Sequence, residues 1–171
     1  MKVLVTAASR HGSTAEIAEA IGDVLKSRGF DVTVAPPEDV AALSEFDAVV
    51  LGSAVYMGHW LEPATGLARR IGAELAGRPV WLFSSGPVGN RSKKFVQQMD
   101  VDPVDLKAVQ KTTGARAHER FSGKLDRHNV RGLQRVGLSL FRGLEGDFRD
   151  WKAVREWAGS IADQLPEVTA A

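Results

Sequence analysis

The stretch KVLVTAASRHGST, residues 2–14, decides the reading of this chain, because an apolar run passes straight into small hydroxylated residues and then into a helical pattern. Val3, Leu4 and Val5 are apolar without alternation, as a strand covered on both faces requires. Ser9, Gly12, Ser13 and Thr14 then open a segment in which Ile17, Ile21, Val24 and Leu25 recur at helical spacing. The first turn of a helix leaves backbone N–H groups unpaired and carries partial positive charge. Hydroxyl donors gathered just before it therefore make a site for an anion, here a phosphate group. Gly12 allows the backbone to approach such a ligand closely.

Two common phosphate loops are excluded. Ser13 rather than Lys follows Gly12, so there is no G-x-x-x-x-G-K-[ST], and no G-x-G-x-x-G occurs. What remains is Ser9-x-x-Gly12-x-Thr14, with His11 inside it and Arg10 as its fixed cation, a pattern suited to a single phosphate monoester. It resembles the FMN-phosphate loop of flavodoxins. Taken alone, the same residues also describe an ordinary strand-to-helix turn.

The chain has 171 residues, enough for one domain with a substantial core. Cysteine is absent, which excludes disulfides, thiolate metal sites and thiol redox chemistry, so a redox role requires a borrowed cofactor. The four histidines, at 11, 59, 118 and 128, show no metal-ligand spacing. No apolar run approaches the ~20 residues that span a bilayer, and the sequence opens on a strand rather than a signal peptide. The expectation is a soluble, cytoplasmic protein with no nucleic-acid partner.

Formal net charge is +1, yet unevenly distributed. Residues 1–90 carry 7 Lys/Arg against 10 Asp/Glu, residues 91–142 carry 12 against 5, and residues 143–171 carry 3 against 6. A basic middle of net +7 thus lies between two acidic ends. It would serve an anionic ligand, an acidic partner or a lipid surface, although a solvated face accounts for most charge runs.

Along the chain, strands and helices alternate. Gly29 closes the first helix; 31–35 is a second strand stopped by Pro36-Pro37; a short helical turn is expected at 38–43. Residues 46–53 form a third strand, Pro63 introduces a helix over 64–75, and 78–84 form a fourth strand. Such alternation implies right-handed βαβ units and a doubly wound sheet, whose ligands bind at the carboxyl ends of the strands.

Two further loops lie at such ends. After the third strand come Ser53, Ala54, Val55, Tyr56, Met57, Gly58, His59 and Trp60, whose aromatic residues could wall a planar heterocycle. After the fourth come Ser84, Ser85, Gly86, Pro87, Val88 and Gly89, whose amides could reach ring carbonyls and nitrogens. One loop for a phosphate, one for a ring face and one for a ring edge, in that order, point to an FMN site.

With these residues in place the chain resembles the flavodoxin-domain proteins, and within them most resembles the menaquinone-dependent, flavodoxin-like protoporphyrinogen dehydrogenases. The narrower likeness rests on Ser9-Arg10-x-Gly12-x-Thr14, on Gly58-His59-Trp60, and on the Asp150-Trp151 pair opening a C-terminal helix with Val154, Ala158, Ile161 and Leu165 on one face. The resemblance implies an α/β flavodoxin-like fold, a doubly wound five-stranded parallel sheet in the order 2-1-3-4-5, within one domain spanning 1–171. It also implies FMN as cofactor and oxidation of a porphyrinogen-type heme precursor with a quinone as acceptor. Cationic Arg10, Arg91, Lys93 and Lys94 would suit the propionates of that substrate.

The family's insertion corresponds to a basic segment at about 122–146, milder here than in the family. In it Leu133, Val136, Leu140 and Leu144 share one helical face and Arg131, Arg135 and Arg142 the other. That helix would pack on its own core, or else bring the basic 116–142 segment to the inner face of the membrane. The loop at 84–89 departs from the family's pattern.

Two alternative functions stay open. A flavodoxin-type electron carrier fits the fold, although such carriers are usually acidic and the sequence pI here is about 8.1. An FMN-dependent NAD(P)H:quinone reductase is the other. No general acid or base emerges from the sequence, and His59 is a candidate proton donor near the ring.

Overall fold

A computed structural model describes residues 1–75, 77–86, 102–125 and 146–166. Strands β1 (Lys2–Ala8), β2 (Asp31–Ala35), β3 (Ala48–Tyr56), β5 (Val80–Ser85) and β6 (Ala117–Phe121) form a parallel sheet in the order β2-β1-β3-β5-β6. Counting only these five, the order is the expected 2-1-3-4-5. A short strand β4 (His59–Trp60) pairs antiparallel with the end of β3 and makes the sheet six-stranded.

Period-2 alternation explains how unbroken apolar runs serve both faces. On one face Val3, Val5, Ala48, Val50, Trp81 and Phe83 meet helices α1 (Ser13–Ser27) and α4 (Trp151–Gln164). On the other, Leu4, Val49, Leu51, Val80 and Leu82 meet α2 (Glu62–Glu74) and α3 (Leu106–Thr113). Gly52 is required by this packing, since a Cβ there would lie 2.1 Å from the ring of Phe83. Phe83 in turn packs against Phe121 and Trp157 of α4, with centroid separations of 6.0 and 6.1 Å.

Local chemistry sets the element ends. α1 ends in a left-handed turn at Gly29, with φ of 89°. Asp150 caps α4 by accepting hydrogen bonds from the Lys152 and Ala153 amides, each 3.0 Å. The helical turn expected at 38–43 shrinks to a 3-10 turn at Pro37–Asp39; Val40 and Leu43 are drawn into the core instead. Strands β7 (Lys124–Leu125) and β8 (Gly146–Asp147) pair antiparallel, so the flanks of the expected basic helix are extended rather than helical. The amphipathic pattern itself, at 126–145, lies outside the described residues.

Candidate site at the carboxyl ends of the strands

Register brings the predicted loops to one edge. Ala8 pairs with Ser53, Ser53 with Ser84, and Ala54 with Ser85, so β1, β3 and β5 deliver their following loops side by side. Ser9 to Thr14 occupy the first loop and the opening of α1, Ser53 to Trp60 the second, and Ser84 to Gly86 the start of the third. Pro87 and Gly89, with Arg91, Lys93 and Lys94, lie outside the described residues.

The first loop has the features of an open anion site. Gly12 adopts φ of 85° at the N-cap of α1, a conformation that favours glycine, and no side chain caps the helix. The Oγ of Ser9 is buried with no hydrogen-bond partner. A buried hydroxyl left unpaired costs free energy, and native proteins rarely tolerate one without a purpose. Thr6 Oγ1 and Trp81 Nε1 share this state among the described residues, but of the three only Ser9 stands beside the uncapped start of α1. Thr14 is buried at 1% exposure, whereas Arg10 and His11 are exposed.

The second loop is a two-residue hairpin. Met57 and Gly58 have φ of 52° and 80°, the pair of positive values that joins antiparallel strands in register, and Tyr56 faces His59 across it. Tyr56 is 37% exposed and carries the Arg10 guanidinium over its ring at 4.4 Å, tying the second loop to the first. Met57 stands out at the tip, 81% exposed.

Three residues expected to face a cofactor do other work with their side chains. Trp60 is 4% exposed in the core beneath the sheet, and its indole Nε1 donates to Ser84 Oγ at 2.9 Å. As a β4 residue it alternates inward, which removes it from the loop wall and leaves Tyr56 and Met57 as the exposed apolar surface. The Ser53 hydroxyl accepts from the Leu61 amide and donates to the Ala54 carbonyl, both 2.9 Å, and so closes the base of the hairpin. Ser84 is likewise consumed, since beyond Trp60 it lies 2.8 Å from His118 Nε2.

His118 and Asp105 carry no local signal in the sequence, because each reaches these loops from a distant segment. Asp105 Oδ2 accepts from the Trp60 amide and lies 3.0 Å from His59 Nδ1, and the Val104 amide donates to the Gly58 carbonyl at 2.9 Å. These bonds brace the hairpin against the start of α3. Burial pushes the His118 imidazole down to about 4, Asp102 opposes and Arg120 adds to the shift. His118 is therefore neutral at pH 7, which lets the Ser84 hydroxyl accept from Trp60 and donate to Nε2 in one continuous chain. The roughly 360 Å³ cavity among Arg120, Phe121, Ser122, Asp150 and Trp157 lies between β6 and α4 and shares none of the loop residues.

That shift has a testable consequence. A histidine is protonated near 6.5 in the unfolded chain but only near 4 in the fold, so the unfolded state binds more protons between those values. Stability is expected to be complete above about pH 6.5 and to decline as pH falls toward 4. His118→Gln, which keeps a partner for Ser84 and removes the titration, should flatten that part of the profile. Urea midpoints across the interval check it; a wild-type profile matching that of the variant would contradict the assignment.

Comparison with known proteins agrees with this architecture. No curated protein matched the chain. Among solved structures, a flavodoxin of Streptococcus pneumoniae TIGR4 superposes with a TM-score of 0.62 at 18% identity, covering 96% of this chain and 100% of that one. An archaeal flavodoxin gives 0.58 at 22% identity, covering 84% and 99%. The rubredoxin oxygen:oxidoreductase of Desulfovibrio gigas gives 0.62 at 15% identity, covering 99% of this chain and 37% of that one. These identities establish the fold alone. The family model described as "Flavodoxin domain" matches residues 4–151, and the chain therefore belongs to the flavodoxin-domain family.

Proposed function

We propose that this protein is an FMN-dependent oxidoreductase whose cofactor phosphate is held by the first loop and whose flavin ring lies between the second and third. The carrying observation is the buried, partnerless Ser9 Oγ beside the uncapped start of α1. A phosphate monoester meets both needs at once, since it supplies acceptors for the hydroxyl and negative charge for the helix end. The residues present fit that group: Ser9 and the amides of Ser13 and Thr14 would bind the phosphate, and Arg10 would stay close to it from its place on Tyr56.

When bound, FMN supplies one- and two-electron chemistry. The protein's part is to bind and orient it. Tyr56 and Met57 offer apolar surface, and their hairpin is held by Ser53, by Asp105 and by the Trp60–Ser84–His118 chain. His59, with Nδ1 held by Asp105, would keep Nε2 for a proton at the site.

The substrate reading follows the resemblance in the first loop, the Gly58-His59-Trp60 run and the Asp150-Trp151 helix start: a porphyrinogen-type donor and a quinone acceptor. A second reading, an electron carrier, is favoured by flavodoxins that match this chain over 99% and 100% of their own length. Anaerobic mixing separates them. FMN-loaded protein should be bleached by protoporphyrinogen or coproporphyrinogen and recover its colour with menaquinone. Bleaching by a ferredoxin or flavodoxin reductase, with none by the porphyrinogens, makes it a carrier. Rapid bleaching by NAD(P)H alone makes it a quinone reductase. Failure to retain FMN overturns all three.

A further inference from the structure

Arg149 stands between β8 and α4. Its side chain is 3% exposed. Its Nε and Nη2 donate to the two carboxylate oxygens of Asp147 at 2.8 and 2.6 Å, a fork that only a guanidinium provides. Its Nη1 donates to Glu16 Oε2 at 2.7 Å and to the Ser13 carbonyl at 3.2 Å, both in the first turn of α1. Trp151 covers one face of the group at 4.4 Å.

The position of Glu16 matters for the first loop. An acidic residue in the opening turn favours the helix itself, but it is like-charged with any phosphate held at that end. Asp147 adds a second carboxylate nearby. Arg149 opposes both. We propose that Arg149 is a charge-masking positioning residue that makes this helix start selective for a phosphorylated flavin; the proposal rests on the FMN reading above. By holding Glu16 along the flank of the helix and offsetting part of the charge it shares with Asp147, Arg149 leaves the free N–H groups of the turn to a dianion. Because Glu16 is within one helical turn of those groups, its charge acts well inside the ~10 Å screening length at 0.1 M salt.

The test is a thermodynamic cycle read by the ratio of FMN to riboflavin affinity. Arg149→Met should lower FMN affinity about 3- to 30-fold, the range Coulomb's law gives for one unmasked charge near a protein surface, and leave riboflavin affinity unchanged. Adding Glu16→Gln should recover most of that loss. Glu16→Gln alone, which does not depend on the Met variant folding, should raise FMN affinity by a few-fold, because Arg149 then opposes Asp147 only. Arg149→Lys should retain part of the selectivity. Equal losses for FMN and riboflavin with no rescue would assign Arg149 a merely structural role and overturn the proposal, as would an unchanged FMN affinity in Glu16→Gln. Failure of the FMN reading itself looks different: the wild-type protein would then show no preference for FMN over riboflavin.

Discussion

Replacing Ser9 by alanine is expected to weaken FMN binding by about 10- to 150-fold, since a hydrogen bond to a charged group contributes on the order of 1.5–3 kcal/mol. Riboflavin affinity should scarcely change. Folding stability should stay level or rise slightly, because the substitution removes a buried oxygen that has no partner. This opposite response of binding and stability separates a ligand-facing hydroxyl from a structural one. Isothermal titration and denaturant unfolding on the same preparation measure both; a loss of stability without a loss of FMN affinity would contradict the assignment.

Trp60→Ala is expected to cost about 3–5 kcal/mol of stability, the usual range for deleting a large buried aromatic. The void is only part of it. Ser84 would lose its donor, and the chain that ends on His118 would be broken at its first link. Trp60→Phe fills most of the space but leaves the Ser84 oxygen short of a partner, so a loss of about 1–3 kcal/mol is expected. Flavin fluorescence should behave in the opposite way. Tyr56→Leu, at a partly exposed ring, should change the emission of bound FMN with little effect on stability. If Trp60→Phe altered emission and Tyr56→Leu did not, the exposed wall of the second loop would have been misassigned.

Residues 2–14 made the fold legible because strand, glycine and helix signals there all agree and nothing distant is needed to interpret them. The same holds for the third and fourth strands, whose unbroken apolar runs follow from a sheet covered on both faces. The last parallel strand is different. Its sequence, Ala-His-Glu-Arg-Phe at 117–121, has no apolar run, because it lies at the sheet edge and only Phe121 is buried. The hairpin at 55–60 was hidden for another reason. Met57-Gly58 is an uncommon pair for a turn that needs two positive φ values, and nothing local marks Trp60 as inward-facing. Its role is set by Ser84 and His118, 24 and 58 positions away in a sequence whose register only the folded sheet defines. Arg149 carries no local signal either, since its partner Glu16 is 133 residues away.

The loops thus divide into a scaffold and a surface. Ser53, Trp60, Ser84, His118 and Asp105 hold the second loop in shape. Ser9, Gly12, Tyr56 and Met57 face outward or stand unpaired. Residues of the first kind should govern stability, and those of the second kind should govern ligand binding.

The central claim is that the first loop binds the phosphate of FMN, and calorimetric titration of the purified wild-type protein with FMN and with riboflavin tests it most directly. The account predicts one FMN per chain and clearly tighter binding of FMN than of riboflavin, by an amount that Ser9→Ala diminishes. Equal affinity for the two flavins would contradict it.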